Sequence, residues 1–135
     1  MSKTVDFYYD YGSPTAYLAW TQLPALCAKY NATLNYRPIL LGGVFKATGN
    51  STPVNIKPKG KWLFDDISRY ANRYDVPFMM NPHFIINSMT MMRGAVWAKN
   101  TGVLEFYNKA LFEATWANEL DTGDSSVVSL SLIHI

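Results

Sequence analysis

A single cysteine in 135 residues excludes an internal disulfide and a Cys-x-x-Cys redox pair. Cys27 lies among Leu23, Leu26 and Tyr30 at helical spacing, which predicts a buried structural thiol and not a nucleophile. Charge is scarce as well. Asp, Glu, Lys and Arg make up 16%, and 12 basic against 10 acidic residues leave a formal net charge of +2. That balance, without any Lys/Arg run, does not describe a nucleic-acid binder. Apolar runs stay far short of the roughly 20 residues of a membrane span, and the N-terminus has no signal-peptide core, so the expectation is a soluble, cytoplasmic protein. With two histidines, and no metal-ligand cluster around His83, a metal centre is not expected. Nucleophile-elbow and phosphate-loop motifs are missing too. What is abundant is apolar: 49% hydrophobic and 15% aromatic residues, enough for one small domain with a real core.

The chain organises around its opening, VDFYYDYGSPTAYLAW, residues 5–20. Val5, Phe7 and Tyr9 alternate with polar neighbours and read as a strand. Gly12 breaks it, and Ser13-Pro14 opens a helix with Ser as N-cap and Pro at the first helical position. Strand running into helix places the Ser13 hydroxyl at the positive end of a helix dipole, where an anion such as a thiolate is held. Locally, Ser-Pro requires no role beyond capping.

A helix is predicted over residues 14–30, with Tyr17, Trp20, Leu23 and Cys27 on one face and Pro24 kinking or splitting it. Residues 33–40 read as a second strand, so strand–helix–strand implies a parallel βαβ unit. One or two helical turns follow at 41–47. Residues 48–61 read as a polar loop, whose plain reading is a solvated connector. A helix is predicted over 62–74, with Leu63, Ile67, Tyr70, Ala71 and Tyr74 inside and an Asp65–Arg69 pair outside. An apolar, proline-broken link spans 78–86. Asn87-Ser88 caps a helix over 89–100, and a last one runs over 103–118 with Val103, Phe106, Tyr107, Ala110, Leu111 and Ala114 buried. Methionines 79, 80, 89, 91 and 92 fill the core or line an apolar pocket. From Asp121 the pattern lapses.

The string DFYYDYGSPTAYLA resembles the opening of the 2-hydroxychromene-2-carboxylate isomerases and of their relatives, the kappa-class glutathione transferases. Both are branches of the DsbA-like thioredoxin superfamily. The resemblance implies a thioredoxin-like α/β fold: an N-terminal βαβ half over 1–47 and an all-helical insertion over 48–120. It implies glutathione as cofactor, its sulfur contacted by Ser13, with Asn50 and Lys59 reaching the tripeptide and Asn55 and Asn87 facing the substrate. Ser88 and Arg93 match the family in type. Two positions depart from it: Phe45, where some isomerases carry lysine, and Ile86, where an aromatic or polar residue contacts substrate.

The family extends well past residue 120, so the resemblance implies that the remaining strands and last helix of the thioredoxin half are missing and that 121–135 is a truncated tail. Residues 130–135, LSLIHI, read as the translation of a sequencing-adapter end, so they are expected to be non-native and His134 to carry no function. The implied activity is a glutathione-dependent cis–trans isomerisation in aromatic-compound catabolism. A thiolate adds to a conjugated carbon, a single bond rotates, and the thiolate leaves. A kappa-like transferase or peroxidase, or a non-catalytic DsbA-like fragment, are the alternatives. The expected partners are a small aromatic substrate and a second copy of the chain, without nucleic acid or membrane.

Overall fold

The computed structural model describes residues 3–133. Strand β1 (Lys3–Tyr9) leads into helix α1 (Pro14–Lys29), and strand β2 (Ala32–Pro38) returns to pair with β1 in parallel, Lys3 opposite Ala32 and Tyr9 opposite Pro38. The predicted βαβ unit is therefore present, and it forms the two-stranded sheet of the described residues. Helix α1 runs through Pro24 as one helix, so of the two outcomes expected there, a kink or a split, the split does not occur. The chain then turns at Asn31, a non-glycine residue in the left-handed region at φ 50°.

Helix α2 (Leu41–Thr48) comes next and ends on Gly49 at φ 69°. A single 3-10 turn (Pro53–Asn55) then leads into α3 (Lys57–Tyr74). The polar loop expected over 48–61 is thus half helix. Lys57, Pro58 and Lys59 were weighed as loop formers, but proline at the start of a helix leaves no hydrogen bond unmade and does not oppose it. Ile67 and Ala71 are buried on α3, whereas Tyr70 is exposed. Arg69 pairs with Asp66 at 2.8 Å in place of Asp65.

An irregular link leads to α4 (Met89–Thr101), α5 (Leu104–Trp116) and α6 (Ser125–Ser131). The last is a helix where a patternless tail was expected. Asp124 caps it, accepting from the backbone and hydroxyl of Ser126, and Val128 is buried. His134 lies outside the described residues.

Helix α5 is the keystone of the core. Leu104, Tyr107, Asn108, Leu111, Phe112 and Thr115 recur at three- and four-residue steps and are all buried. Phe106 is instead 70% exposed. The stripe contains Asn108 and Thr115, so a reading that followed apolar residues alone placed it about a quarter-turn off. Phe112 touches four rings at once, with centroids 4.8 Å from Tyr11, 5.2 Å from Trp20, 5.8 Å from Tyr9 and 6.1 Å from Tyr17. Met91 and Met92 are buried as core filler, while Met79, Met80 and Met89 are exposed. Cys27 is buried and free.

Polar groups of this core pair across long sequence distances, although Asn108 Nδ2 is buried without a hydrogen-bond partner among the described residues. Tyr9 and Tyr11 both donate to Asn108 Oδ1, at 2.8 and 2.6 Å, and Trp116 Nε1 donates to the Tyr11 carbonyl at 2.7 Å. Tyr107 donates to the Met91 carbonyl at 2.9 Å by crossing close over Gly94. Burial pushes the Tyr9 and Tyr107 phenols up to about 12 and holds Tyr11 well above 10.0. A phenol that is harder to ionise in the fold than in the unfolded chain stabilises the fold below the unfolded pKa. That contribution is lost as pH rises from about 10 through about 12.

Two predictions follow from this packing. The urea midpoint falls steeply between pH 9 and pH 12, with Tyr9 and Tyr107 each contributing about 2–3 kcal/mol to the drop. The Tyr9→Phe/Tyr107→Phe double variant starts less stable and shows a flatter pH dependence. Gly94→Ala would put its methyl 2.0 Å from the Tyr107 hydroxyl oxygen. It is expected to lower stability by about 2 kcal/mol or more, read from chemical denaturation, although alanine is the better helix former.

Candidate functional site

The strand-to-helix turn is built around Ser13. Its side chain accepts from Ala16 N at 3.2 Å, capping α1 as expected, with Pro14 at the first helical position. The turn is held from the other side by Asp10, whose Oδ1 accepts from Gly12 N at 2.8 Å while its carbonyl accepts from Ser13 N at 3.0 Å. Ser13 and Thr15 hydroxyls are 3.0 Å apart and share one hydrogen bond in which either is the donor. Of their two hydroxyl protons, one is thus left for a ligand atom. The adjoining backbone N–H groups and the helix dipole make this the electropositive end of α1.

Ser13 opens onto a cavity of about 410 Å³. Its walls are mostly apolar, with Leu40 and Phe45 from the α2 region and Phe84, Ile86 and Met89 from the link and α4. Polar side chains enter at only a few points: Ser13, Thr15, Thr52, Asn87 and the buried pair Asp10–Ser88. An apolar chamber with a few convergent polar groups at one end is the usual form of a small-molecule site. Ser88 does not cap α4 with its side chain, as expected from sequence. Its hydroxyl donates to Asp10 Oδ2 at 2.9 Å, and Asn87 Oδ1 instead accepts from Met89 N at 3.2 Å.

The five residues expected at the site are not all gathered there. Ser13 and Asn87 line the same cavity. Lys59, exposed on the first turns of α3, lines a neighbouring groove with Pro58 and Trp62, and Pro53 and Leu63 belong to both hollows. Asn50 is exposed and turned to its own backbone, its Oδ1 accepting from Ser51 N at 2.8 Å. Asn55 is exposed in the 3-10 turn and lines neither hollow. Arg93 is also exposed. Phe45 and Ile86, noted as departures, both face the cavity. Sequence reasoning missed Asp10, although Asp-x-Gly after a strand is a turn signal in which a carboxylate binds the amide two residues on. Among the described residues, no group of three or more His, Cys, Asp or Glu side chains is placed to hold a metal, and no helix is long and apolar enough to cross a membrane.

Comparison with known proteins agrees with this architecture. The family model of the DSBA-like thioredoxin domain matches residues 4–132. A 2-hydroxychromene-2-carboxylate isomerase of Sphingobium xenophagum is 32% identical over 93% of this chain and 65% of its own length. One from Pseudomonas putida is 34% identical over 83% of this chain and 55% of its own. Glutathione S-transferase kappa 1 of Rattus norvegicus is 25% identical over 91% of this chain and 58% of its own. A solved selenomethionine structure of a 2-hydroxychromene-2-carboxylate isomerase superposes with a TM-score of 0.80 at 30% identity, covering 96% of this chain and 65% of that one. The chain therefore spans about half to two thirds of these relatives' lengths. By fold, by family model and by relatives, it belongs to the DsbA-like thioredoxin family, in the company of the 2-hydroxychromene-2-carboxylate isomerases and the kappa-class glutathione transferases.

Proposed function

We propose that the protein is a glutathione-dependent isomerase of the 2-hydroxychromene-2-carboxylate type, with Ser13 holding the sulfur. One observation carries the reading: the Ser13 hydroxyl sits at the N-terminus of α1 and at the wall of a largely apolar cavity. The similarity to proteins named as isomerases supports the reaction type.

When bound, glutathione supplies the thiol nucleophile that rotation about a conjugated double bond requires. The chain's own part is to keep that thiol ionised and dry. The spare proton of the Ser13–Thr15 pair donates to sulfur, and the positive end of α1 favours negative charge there. Phe45, Phe84, Ile86 and Met89 exclude water, which strengthens both effects. Asn87 offers an amide donor and acceptor to the substrate. Lys59, which lines the adjoining groove, would meet a carboxylate of a ligand that reaches past Pro53 and Leu63. Asn50 and Asn55 enter this proposal through the family resemblance alone.

Phe45 and Ile86 favour a second reading, a kappa-like transferase acting on an uncharged apolar electrophile, because each adds hydrocarbon to the cavity wall. Turnover of a hydroxychromene carboxylate against conjugation of a neutral aryl electrophile separates the two. A non-catalytic module would bind no glutathione at all.

Ser13→Ala is expected to raise the pKa of bound glutathione thiol by about 1–2 units, as loss of one hydrogen bond to a charged group implies. The check is thiolate absorbance titrated against pH for both proteins. Superimposable curves would remove Ser13 from the mechanism.

A further inference from the structure

The Asp10 carboxylate lies one residue past the end of β1 and is 3% exposed. Its two oxygens accept from three donors on three different elements. Gly12 N, at 2.8 Å on Oδ1, belongs to the turn that carries Ser13. Leu41 N, at 2.8 Å on Oδ2, is the first residue of α2. Ser88 Oγ, at 2.9 Å on the same oxygen, precedes α4. Each of these segments lines the cavity, and so does Asp10 itself. Gly12 fits the arrangement because a Cβ there would stand 3.3 Å from Asp10 Oδ1 and 3.5 Å from the Ile86 carbonyl.

We infer that Asp10 is the positioning residue of this site: one buried carboxylate fixes where Ser13, the start of α2 and the Asn87–Ser88 segment stand around the cavity. Its charge is consistent with that role. A bare carboxylate on the wall would oppose a thiolate nearby, whereas one that takes up two peptide N–H groups and a hydroxyl has its charge largely neutralised by those dipoles. A carboxamide cannot replace it. Asparagine has one acceptor oxygen, so either Gly12 N or Leu41 N would face an N–H₂ group. The activity side of this inference rests on the glutathione reading, and the positional side does not.

The test uses Asp10→Asn and the milder Ser88→Ala, each beside wild type. In ligand-free protein, amide exchange at Gly12 or Leu41, whichever faces the N–H₂ group, should quicken about tenfold or more in Asp10→Asn, with Phe112 and its neighbours unchanged. Unchanged exchange at Gly12 and Leu41 would overturn the positional claim whether or not glutathione binds. Glutathione affinity should fall about tenfold in Asp10→Asn, equivalent to about 1.4 kcal/mol, and by less in Ser88→Ala. The bound thiol pKa should rise, because Ser13 is no longer held to the sulfur. A fall in that pKa would mean that Asp10 acts through its charge, since removing a negative neighbour favours the thiolate, and would overturn the positioning role. So would wild-type affinity and pKa in both variants. Absence of glutathione binding in wild type would instead refute the proposed function, leaving Asp10 to be decided by exchange alone.

Discussion

Two phenols share one amide oxygen at the centre of this molecule. Tyr9 ends β1 and Tyr11 stands in the turn beyond it, and both donate to Asn108 Oδ1. Nothing local compels that meeting; 99 and 97 residues separate the partners. It joins the βαβ unit to α5, and the rings that carry the hydroxyls pack on Phe112 one turn further along that helix. Tyr9 packs on Phe112 of α5, which also stacks on Trp20 of α1, while the opposite face of the two strands, with Asp6, Tyr8 and Arg37, is exposed. The buried hydrogen bonds fix which face of α5 turns inward.

From that joint the site follows. With β1 held, the turn beyond it is anchored at Tyr11, whose carbonyl accepts from Trp116 and whose amide meets the Met92 sulfur at 3.4 Å. Trp116 in turn stacks on Phe78 and touches Phe84, so the irregular link between α3 and α4 is drawn against the same aromatic column. Phe84 and Ile86 then form one wall of the cavity and Ser13 another. Aromatic residues are thus spent on placing loops, which explains why so weakly charged a chain needs so many of them.

What the sequence disclosed was what local chemistry decides. The strand into Ser-Pro, the parallel return and the helical series of α3, α4 and α5 were legible because spacing and capping are short-range rules. Ser13 and Asn87 are expected at the site on the family motif, and both line one cavity. Asn50 and Asn55 were carried over from the same motif, and the cavity does not include them. Residues 48–61 read as a polar loop, whereas proline near a helix start is a signal to begin, and Lys59 lies in α3. Phe106 reads as core on an apolar series, while the buried stripe of α5 includes the polar Asn108 and Thr115. The bond between Ser88 and Asp10 is invisible in the sequence because a hydrogen bond across 78 residues leaves no periodic trace.

That span of 78 residues bears on the order in which the molecule is made. Strand β1, its turn and α2 emerge before the link, yet the cavity wall formed by Phe84, Ile86 and Asn87 is fixed only when residue 88 has emerged and travelled back to Asp10. Ser13 therefore spends the early part of synthesis as an ordinary helix cap. Closing so long a loop carries an entropy that short-range contacts must offset beforehand, and chains dominated by such contacts fold slowly. A cavity fixed by so distant a contact is complete only after that loop has closed.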